Sequence, residues 1–223
     1  MLSIIIPTYN TANGLVKTIE SLVPPPYARE IIVVDGGSSD GTLSIAHKMD
    51  ACVVHSDKGR GQQMKAGAEA SKGDWLLFLH ADTVLPPDWG RHVCAFVADD
   101  VKRQCAGYFT FALDDDHVEA KRLEKIVSLR CRLLGLPYGD QGLLISRDLY
   151  DEVGGFKDIP LMEDVDIVRR IGKKRLRQLS AAAVTSSIRY QKHGYVKRMI
   201  RNVTCLSLYF LGLSPQKIVK LYE

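Results

Sequence analysis

The chain opens with apolar runs that do not alternate with polar positions. Residues 3–6, 30–34, 51–55 and 75–79 are each of strand length, and the runs Ile4-Ile5-Ile6, Ile31-Ile32-Val33-Val34 and Trp75-Leu76-Leu77-Phe78-Leu79 are apolar throughout. Such runs predict strands covered on both faces, as in a parallel sheet with helices above and below. The segments between them carry helical spacing instead. Leu15, Ile19, Leu22 and Val23 form one stripe, with Asn13 as the expected N-cap and Pro24-Pro25-Pro26 as the stop. Leu43, Ala46 and Met49 mark a second helix, and residues 62–70 a third, ended by Gly73. Strand alternating with helix is the pattern of an α/β nucleotide-binding half.

The order changes after residue 85. Pro86-Pro87-Asp88 starts a helix that runs to about Val97, and residues 105–113 read as a strand. Residues 118–134 form a long amphipathic helix with Val118, Leu123, Ile126, Val127 and Leu134 on its inner side. A strand over 141–146, a helix within 161–171 and an extended segment over 176–188 follow, and the last thirty residues read as helical and basic. One domain is expected, with residues 1–190 as its body and 191–223 as a helical appendage.

Bulk composition changes this picture little. The 223 residues are 46% hydrophobic and 25% charged, an ordinary globular balance. A net charge of +4 gives no case for a nucleic-acid partner. Five cysteines (52, 94, 105, 131 and 205) are widely spaced with no CxxC, so buried free thiols in a reducing cytoplasm are expected. No basic region precedes the first apolar run, so no leader is expected. The most apolar late stretch, 203–213, is about half of the ~20 residues that a membrane span needs. It follows Lys192, Lys197, Arg198 and Arg201. That order suits a peripheral contact at the inner face of the membrane, or packing on the sheet or on a second subunit.

Candidate chemistry gathers at strand ends, where open α/β sheets bind ligands. Pro7-Thr8-Tyr9 ends the first strand and Asp35 the second. Asp35 can accept from a nucleobase N–H, or simply brace the Asp35-Gly36-Gly37 turn. Lys58-Gly59-Arg60-Gly61-Gln62-Gln63 precedes a helix and offers glycines, cations and a helix N-terminus to a diphosphate; a solvated loop is the plainer reading. His80-Ala81-Asp82 ends the fourth strand. Mg²⁺ and Mn²⁺ often need only one or two carboxylates beside phosphates and water, so Asp82 is the candidate metal ligand. Glu163-Asp164 opens a late helix, either complementing its dipole or supplying a general base. Asp166 is expected to face solvent or pair with Arg169 or Arg170. Asp140 and Gln141 are candidates for acceptor hydroxyls, Arg189 for charge on a departing diphosphate, and His193 for the surface or a metal shell.

Taken together, these motifs resemble a family 2 glycosyltransferase of the GT-A fold, over nearly the whole chain. That resemblance implies a donor nucleotide-diphosphate sugar bound by Pro7, Thr8, Tyr9, Asp35, Arg60, Gln62, Ala81, Asp82 and Arg189. It implies a divalent cation, Mn²⁺ or Mg²⁺, on Asp82, and Asp164 as catalytic base with Glu163 as the fallback. His80 stands where the family's D-x-D motif has its first acid, so His80→Asp is expected to preserve donor binding. Gly36 stands where many relatives carry a second acid. Processive members carry Q-x-x-R-W and membrane helices; neither is found, which points to transfer of a single sugar to an acceptor that the sequence leaves unidentified. A nucleotidyltransferase would need a Gly-rich basic loop straight after the first strand, where Pro7-Thr8-Tyr9-Asn10 stands instead. A non-catalytic nucleotide-sugar binder or assembly partner is the remaining rival.

Overall fold

The computed structural model describes residues 1–23 and 29–222. Its first half alternates as the apolar runs require: β1 (Leu2–Thr8), α1 (Ala12–Ser21), β2 (Arg29–Asp35), α2 (Thr42–Lys48), β3 (Cys52–His55), α3 (Arg60–Ala70) and β4 (Trp75–Phe78). Next come β5 (Thr83–Val84), α4 (Trp89–Val97), β6 (Ala106–Leu113), α5 (Val118–Leu134), β7 (Leu143–Ser146) and α6 (Arg147–Glu152). The chain closes with α7 (Glu163–Ile171), β8 (Leu176–Thr185), α8 (Ile188–His193), α9 (Tyr195–Phe210) and α10 (Pro215–Tyr222).

The strands form an eight-stranded sheet in the order β3-β2-β1-β4-β7-β6-β8-β5. β3, β2, β1 and β4 pair in parallel. β7 runs antiparallel to both β4 and β6, and β5 antiparallel to β8. The register aligns Thr8 with Asp35 and Asp35 with His55, so these strands end flush on one edge. β4 stops nearby, with Phe78 opposite Ile5. That shared edge is where the polar strand ends collect.

Both faces of the sheet are buried, which accounts for the lack of alternation. Ile4, Ile6, Val33 and Leu77 face one layer with Leu15, Ile19, Ala46, Trp89 and Val93. Ile5, Val34, Leu76 and Phe78 face the other with Met64, Ala68, Leu123, Val127, Val165 and Val168. Cys205 of α9 and Ile218 of α10 are buried in this second layer, so the C-terminal helices pack on the body of the domain. α3 can lie close over the sheet because Gly67 has no side chain: a Cβ there would sit 2.4 Å from Ile5 Cγ2 and 2.8 Å from Val34 Cγ2.

Several local expectations are corrected. α1 begins at Ala12 with Thr11 as its cap, which places Asn13 inside the first turn. Val23 is exposed, and the Pro24-Pro25-Pro26 stop lies outside the described residues. The inner stripe of α5 is Ala120, Leu123, Val127 and Cys131, while Val118, Ile126 and Leu134 are exposed. Spacing of 120-123-127-131 keeps one face inward; the small Ala120 and the thiol of Cys131 conceal that face in a reading of large apolar residues. Gln141 belongs to a single turn before β7. Cys52 is exposed and Cys94 half-buried; Cys105, Cys131 and Cys205 are buried, and all five are free.

One buried carboxylate fastens the C-terminal helices. Asp115 accepts from Gln191 Nε2 at 3.0 Å, from the Tyr195 hydroxyl, and from the His117 backbone N–H at 2.9 Å. The Tyr195 hydroxyl, with the His117 N–H and Gln191, holds the Asp115 carboxyl well below the usual carboxylate range. A depressed carboxylate contributes stability above its unfolded value, and that contribution is lost as pH falls through the folded one. Hydrogen exchange at the start of α9 should therefore accelerate under strong acid in the wild type, and already at neutral pH in Asp115→Asn.

Candidate active site

The flush ends of β1 and β2 are locked from within. Asp35 is buried, and its two oxygens accept from Gly37 N (3.0 Å), Ser38 N (2.8 Å), Thr8 Oγ1 (3.2 Å) and Ser38 Oγ. Burial opposes its ionisation, but these donors outweigh burial and hold the carboxyl below its ordinary value. An ionised carboxylate has about four acceptor positions, and here the turn fills them. A nucleobase would have to displace Ser38 or Thr8 to reach Asp35. Beside it, Gln63 Nε2 donates to Thr8 O at 2.7 Å and to Val34 O at 2.8 Å, bridging the two strand ends. A Cβ on Gly36 would lie 3.1 Å from that Nε2, so Gln63 occupies the space next to position 36.

An open crevice lies above these ends, lined by Pro7, Thr8, Tyr9, Arg60, Ala81, Asp82 and Arg189. All seven are expected donor residues. Two expected donor residues do not line it: Asp35 is buried beneath, and Gln62 reaches towards exposed Asp57 at 3.4 Å while Gln63 lines the crevice in its place. Helical phase explains this, because Gln63 lies four residues before Gly67 on the inward face of α3. Tyr9 is partly exposed with Lys58 Nζ 3.9 Å from its ring centroid, a cation–π pair at the mouth of the crevice.

Asp82 is fixed by its backbone. Thr18 Oγ1 of α1 donates to Ala81 O at 2.9 Å, and Ser186 N donates to Asp82 O at 3.2 Å. A Cβ on Gly14 would come within 2.7 Å of Ala81 O, so α1 presses directly against this turn. The Asp82 carboxylate stays available: Arg189 Nη2 is 4.0 Å away on an exposed side chain.

His80 lines the crevice and is held in a pair. Its Nδ1 lies 3.0 Å from Asp140 Oδ1. Its Nε2 is buried without a hydrogen-bond partner and abuts Gly139, where a Cβ would be only 2.4 Å away. Burial disfavours the imidazolium, but the bond and charge of Asp140 outweigh it and raise the His80 value. Asp140 is correspondingly lowered to about 2, burial being outweighed by His80, Arg60 and Arg189. With one nitrogen bonded and the other packed, His80 acts as a hydrogen-bonded strand-end histidine. The pair sets a cost against the expectation for His80→Asp: a carboxylate there would face Asp140, with the charges of Arg60 and Arg189 alone to offset the repulsion. That substitution should cost about 1–2 kcal/mol after solvent screening, read as a lower denaturation midpoint, and should weaken nucleotide binding.

The acids of α7 meet this group from the other side. Met162, just before the helix, is left-handed at φ 67°. This uncommon conformation for a non-glycine residue turns both acids towards the sheet edge. Glu163 is only 2% exposed and lies 3.4 Å from Arg60 Nε. Burial raises its carboxyl, opposed by Arg60 and supported by Asp164. Asp164 Oδ2 accepts from Gly139 N at 2.9 Å. The turn Gly139-Asp140-Gln141 thus touches Asp164 through Gly139 and His80 through Asp140. One open cavity is lined by Arg60, Asp82, Asp140, Glu163, Asp164 and Arg189 together. A glycine makes the approach feasible: a Cβ on Gly61 would meet Lys157 O at 2.3 Å.

Other candidates fall outside the cavity. Asp166 is buried against Arg170 at 2.5 Å and Lys157 at 3.2 Å, so it pairs rather than facing solvent. Gln141 is a structural pin, donating to Phe109 O at 3.0 Å and accepting from Arg130 Nη2 at 3.3 Å. His193 is exposed at the end of α8; burial and the neighbouring Lys192, Arg198 and Arg201 lower its value. Tyr138, from the Tyr138-Gly139-Asp140-Gln141-Gly142 loop, lines the cavity, and Ser186, Arg198 and Asn202 line it without any motif to announce them.

The donor set of the cavity fits a hard divalent cation brought in by phosphates. Asp82 offers a carboxylate, with Asp140 beside it, and such ions keep waters and phosphate oxygens as further ligands. Among the described residues no three His, Cys, Asp or Glu side chains form a ready cage.

A parallel half-sheet joined to a mixed one, with acids at the junction, defines the GT-A glycosyltransferase fold. The chain belongs to glycosyl transferase family 2, whose model matches residues 3–122. A PGL/p-HBAD biosynthesis glycosyltransferase of Mycobacterium tuberculosis is 37% identical over 108 residues, covering 44% of this chain and 42% of that protein. An uncharacterized glycosyltransferase of Haemophilus influenzae is 24% identical over 189 residues, covering 77% of this chain and 62% of its own. The chain thus aligns with less than half the length of the first of these relatives. Among solved structures, S. aureus TarS 1-349 superposes with a TM-score of 0.66 at 19% identity, covering 83% of this chain and 60% of that one. Glucosyl-3-phosphoglycerate synthase of M. tuberculosis, solved with Mn²⁺ and UDP, superposes at 0.58 and 18% identity, covering 83% and 70%.

Proposed function

We propose that this protein transfers a single sugar from a nucleotide-diphosphate sugar to an acceptor hydroxyl, with inversion at the anomeric carbon. The observation that carries the reading is the convergence of Asp82, Arg60, Arg189 and the Glu163-Asp164 pair on one cavity. In this reading residues 1–190 are the transferase body and 191–223 its appendage.

The donor lies in the crevice over the ends of β1 and β2, with its diphosphate between Arg60, Arg189 and Asp82. Asp82 would hold Mn²⁺ or Mg²⁺, which when bound neutralises charge on the diphosphate. Asp164 takes the proton of the acceptor hydroxyl as its oxygen attacks. One C–O bond forms at the anomeric carbon, the C–O bond to the diphosphate breaks on the opposite face, and the nucleoside diphosphate leaves. Arg60 and Arg189 stabilise the leaving charge. The Gly139 N–H holds one Asp164 oxygen at 2.9 Å, which orients the carboxylate. Glu163 suits the base role less well, because its buried carboxyl is already engaged with Arg60.

Support for the donor class comes from the solved relatives: TarS 1-349 is solved in complex with UDP-GlcNAc, and the mannosyltransferase PcManGT of Pyrobaculum calidifontis with GDP-Man and Mn²⁺. The test is a thermal-shift panel of UDP-, GDP- and dTDP-sugars with and without Mn²⁺. Ligand bound to the native state raises the midpoint by mass action. Product stereochemistry by NMR then checks the mechanism, and retained configuration would sink single displacement. A metal-stimulated shift with no transfer to any acceptor hydroxyl would favour the non-catalytic rival.

No helix of the described residues is long and apolar enough to cross a membrane. A cytoplasmic location, with or without contact at the inner membrane face, fits a donor made in the cytoplasm.

A further inference from the structure

The cavity that holds Asp164 does not end at the acids. Beside it lies an open groove between α5 and α9. Tyr138, Asp140, Tyr190 and Asn202 line both, so the two spaces share a wall. The groove itself is lined mainly by hydrocarbon, from Phe111, Leu123, Val127, Met199, Val203 and Leu206. An apolar groove that shares a wall with a polar cavity fits a ligand that is polar at one end only.

A second observation gives that polar end a charge. Arg198 of α9 is nine-tenths buried and lines the shared cavity. Its guanidinium lies 5.0 Å from the Tyr190 ring, and its buried Nε has no hydrogen-bond partner. A buried N–H without an acceptor is costly, more so on a charged group. A phosphate or carboxylate would satisfy it. α9 also exposes Val196, Ile200 and Val203, and α5 exposes Ile126 and Leu129, a surface suited to taking a chain from a bilayer.

We propose that the acceptor is an anionic amphiphile: an alcohol whose hydrocarbon chain lies in the α5–α9 groove and whose acidic group meets Arg198. This rests on reading the Asp164 cavity as the place of transfer. The groove would hold the chain while the hydroxyl reaches Asp164.

The test uses n-dodecyl phosphate and n-butyl phosphate below micellar concentration, with calorimetry on the whole protein. Each fully buried methylene tightens binding roughly fourfold, so the dodecyl compound should bind at least about a hundredfold more tightly. Val203→Gln and Ile126→Gln, at positions 55% and 47% exposed on the groove wall, should remove at least about tenfold of that difference without unfolding the protein. Arg198→Gln should weaken dodecyl phosphate but leave n-dodecyl glucoside unchanged. Equal affinity for the butyl and dodecyl phosphates overturns the proposal, as does a chain-length gain that survives both groove substitutions. A dimer that Val203→Gln dissociates would make the groove a subunit contact and overturn it too. UDP binding with Mn²⁺ is measured on the same samples: its absence would sink the donor-site reading while leaving the chain-length result legible.

Discussion

Asp164→Asn should lower sugar transfer by about 10²–10⁴-fold, the usual contribution of a positioned general base. Nucleotide binding should stay within about twofold, because Asn keeps the acceptor oxygen that the Gly139 N–H requires. The contrast is Glu163→Gln. Glu163 is the buried partner of Arg60, so its loss should misplace Arg60 and weaken the donor as well as slow turnover. Single-turnover kinetics beside nucleotide titration separates the two. A dead Glu163→Gln with a nearly normal Asp164→Asn would exchange their roles.

The second large effect is on metal linkage. Asp82→Ala should abolish the gain in nucleoside-diphosphate affinity that Mn²⁺ confers on the wild type, while the thermal midpoint without ligand barely moves. The fold should tolerate it because the Asp82 turn is held through main-chain atoms, Ala81 O by Thr18 and Asp82 O by Ser186, and not through the carboxylate. Titration of UDP with and without Mn²⁺ decides the matter. Unchanged metal stimulation in Asp82→Ala would remove Asp82 as a ligand.

Where a signal was local, the sequence carried it. Uninterrupted apolar runs such as Ile31-Ile32-Val33-Val34 placed the first four strands, and residues 118–134 are the α5 helix as the pattern predicts. The gathering of candidate residues at strand ends was legible for the same reason, since the parallel register brings those ends to one edge. What was not legible depends on helical phase or on contacts across the chain. Gln62 and Gln63 are equal in sequence, and only the inward turn of α3 separates them. Asp140 meets His80 across 60 positions, a pairing no local pattern carries. Asp35 alone reads as a turn brace and, beside the Pro7-Thr8-Tyr9 strand end, as a ligand; the four donors that surround it come from the fold. The mouth of the α5–α9 groove was hidden twice, because its helices show apolar residues on more than one side.

The Gly139-Asp140-Gln141 turn has a consequence for coupling between the two substrates. Its three residues are clamped to three separate elements: Gly139 to Asp164, Asp140 to His80, and Gln141 to the β6 backbone at Phe109. Asp140 also lines the wall that the catalytic cavity shares with the α5–α9 groove. On the proposed reading, an acceptor in the groove would bear on the same short segment that orients Asp164, and a donor in the crevice would reach it through His80. On that reading one short turn would make the arrival of one substrate felt at the other, and order of addition would be altered by substitutions at three adjacent residues.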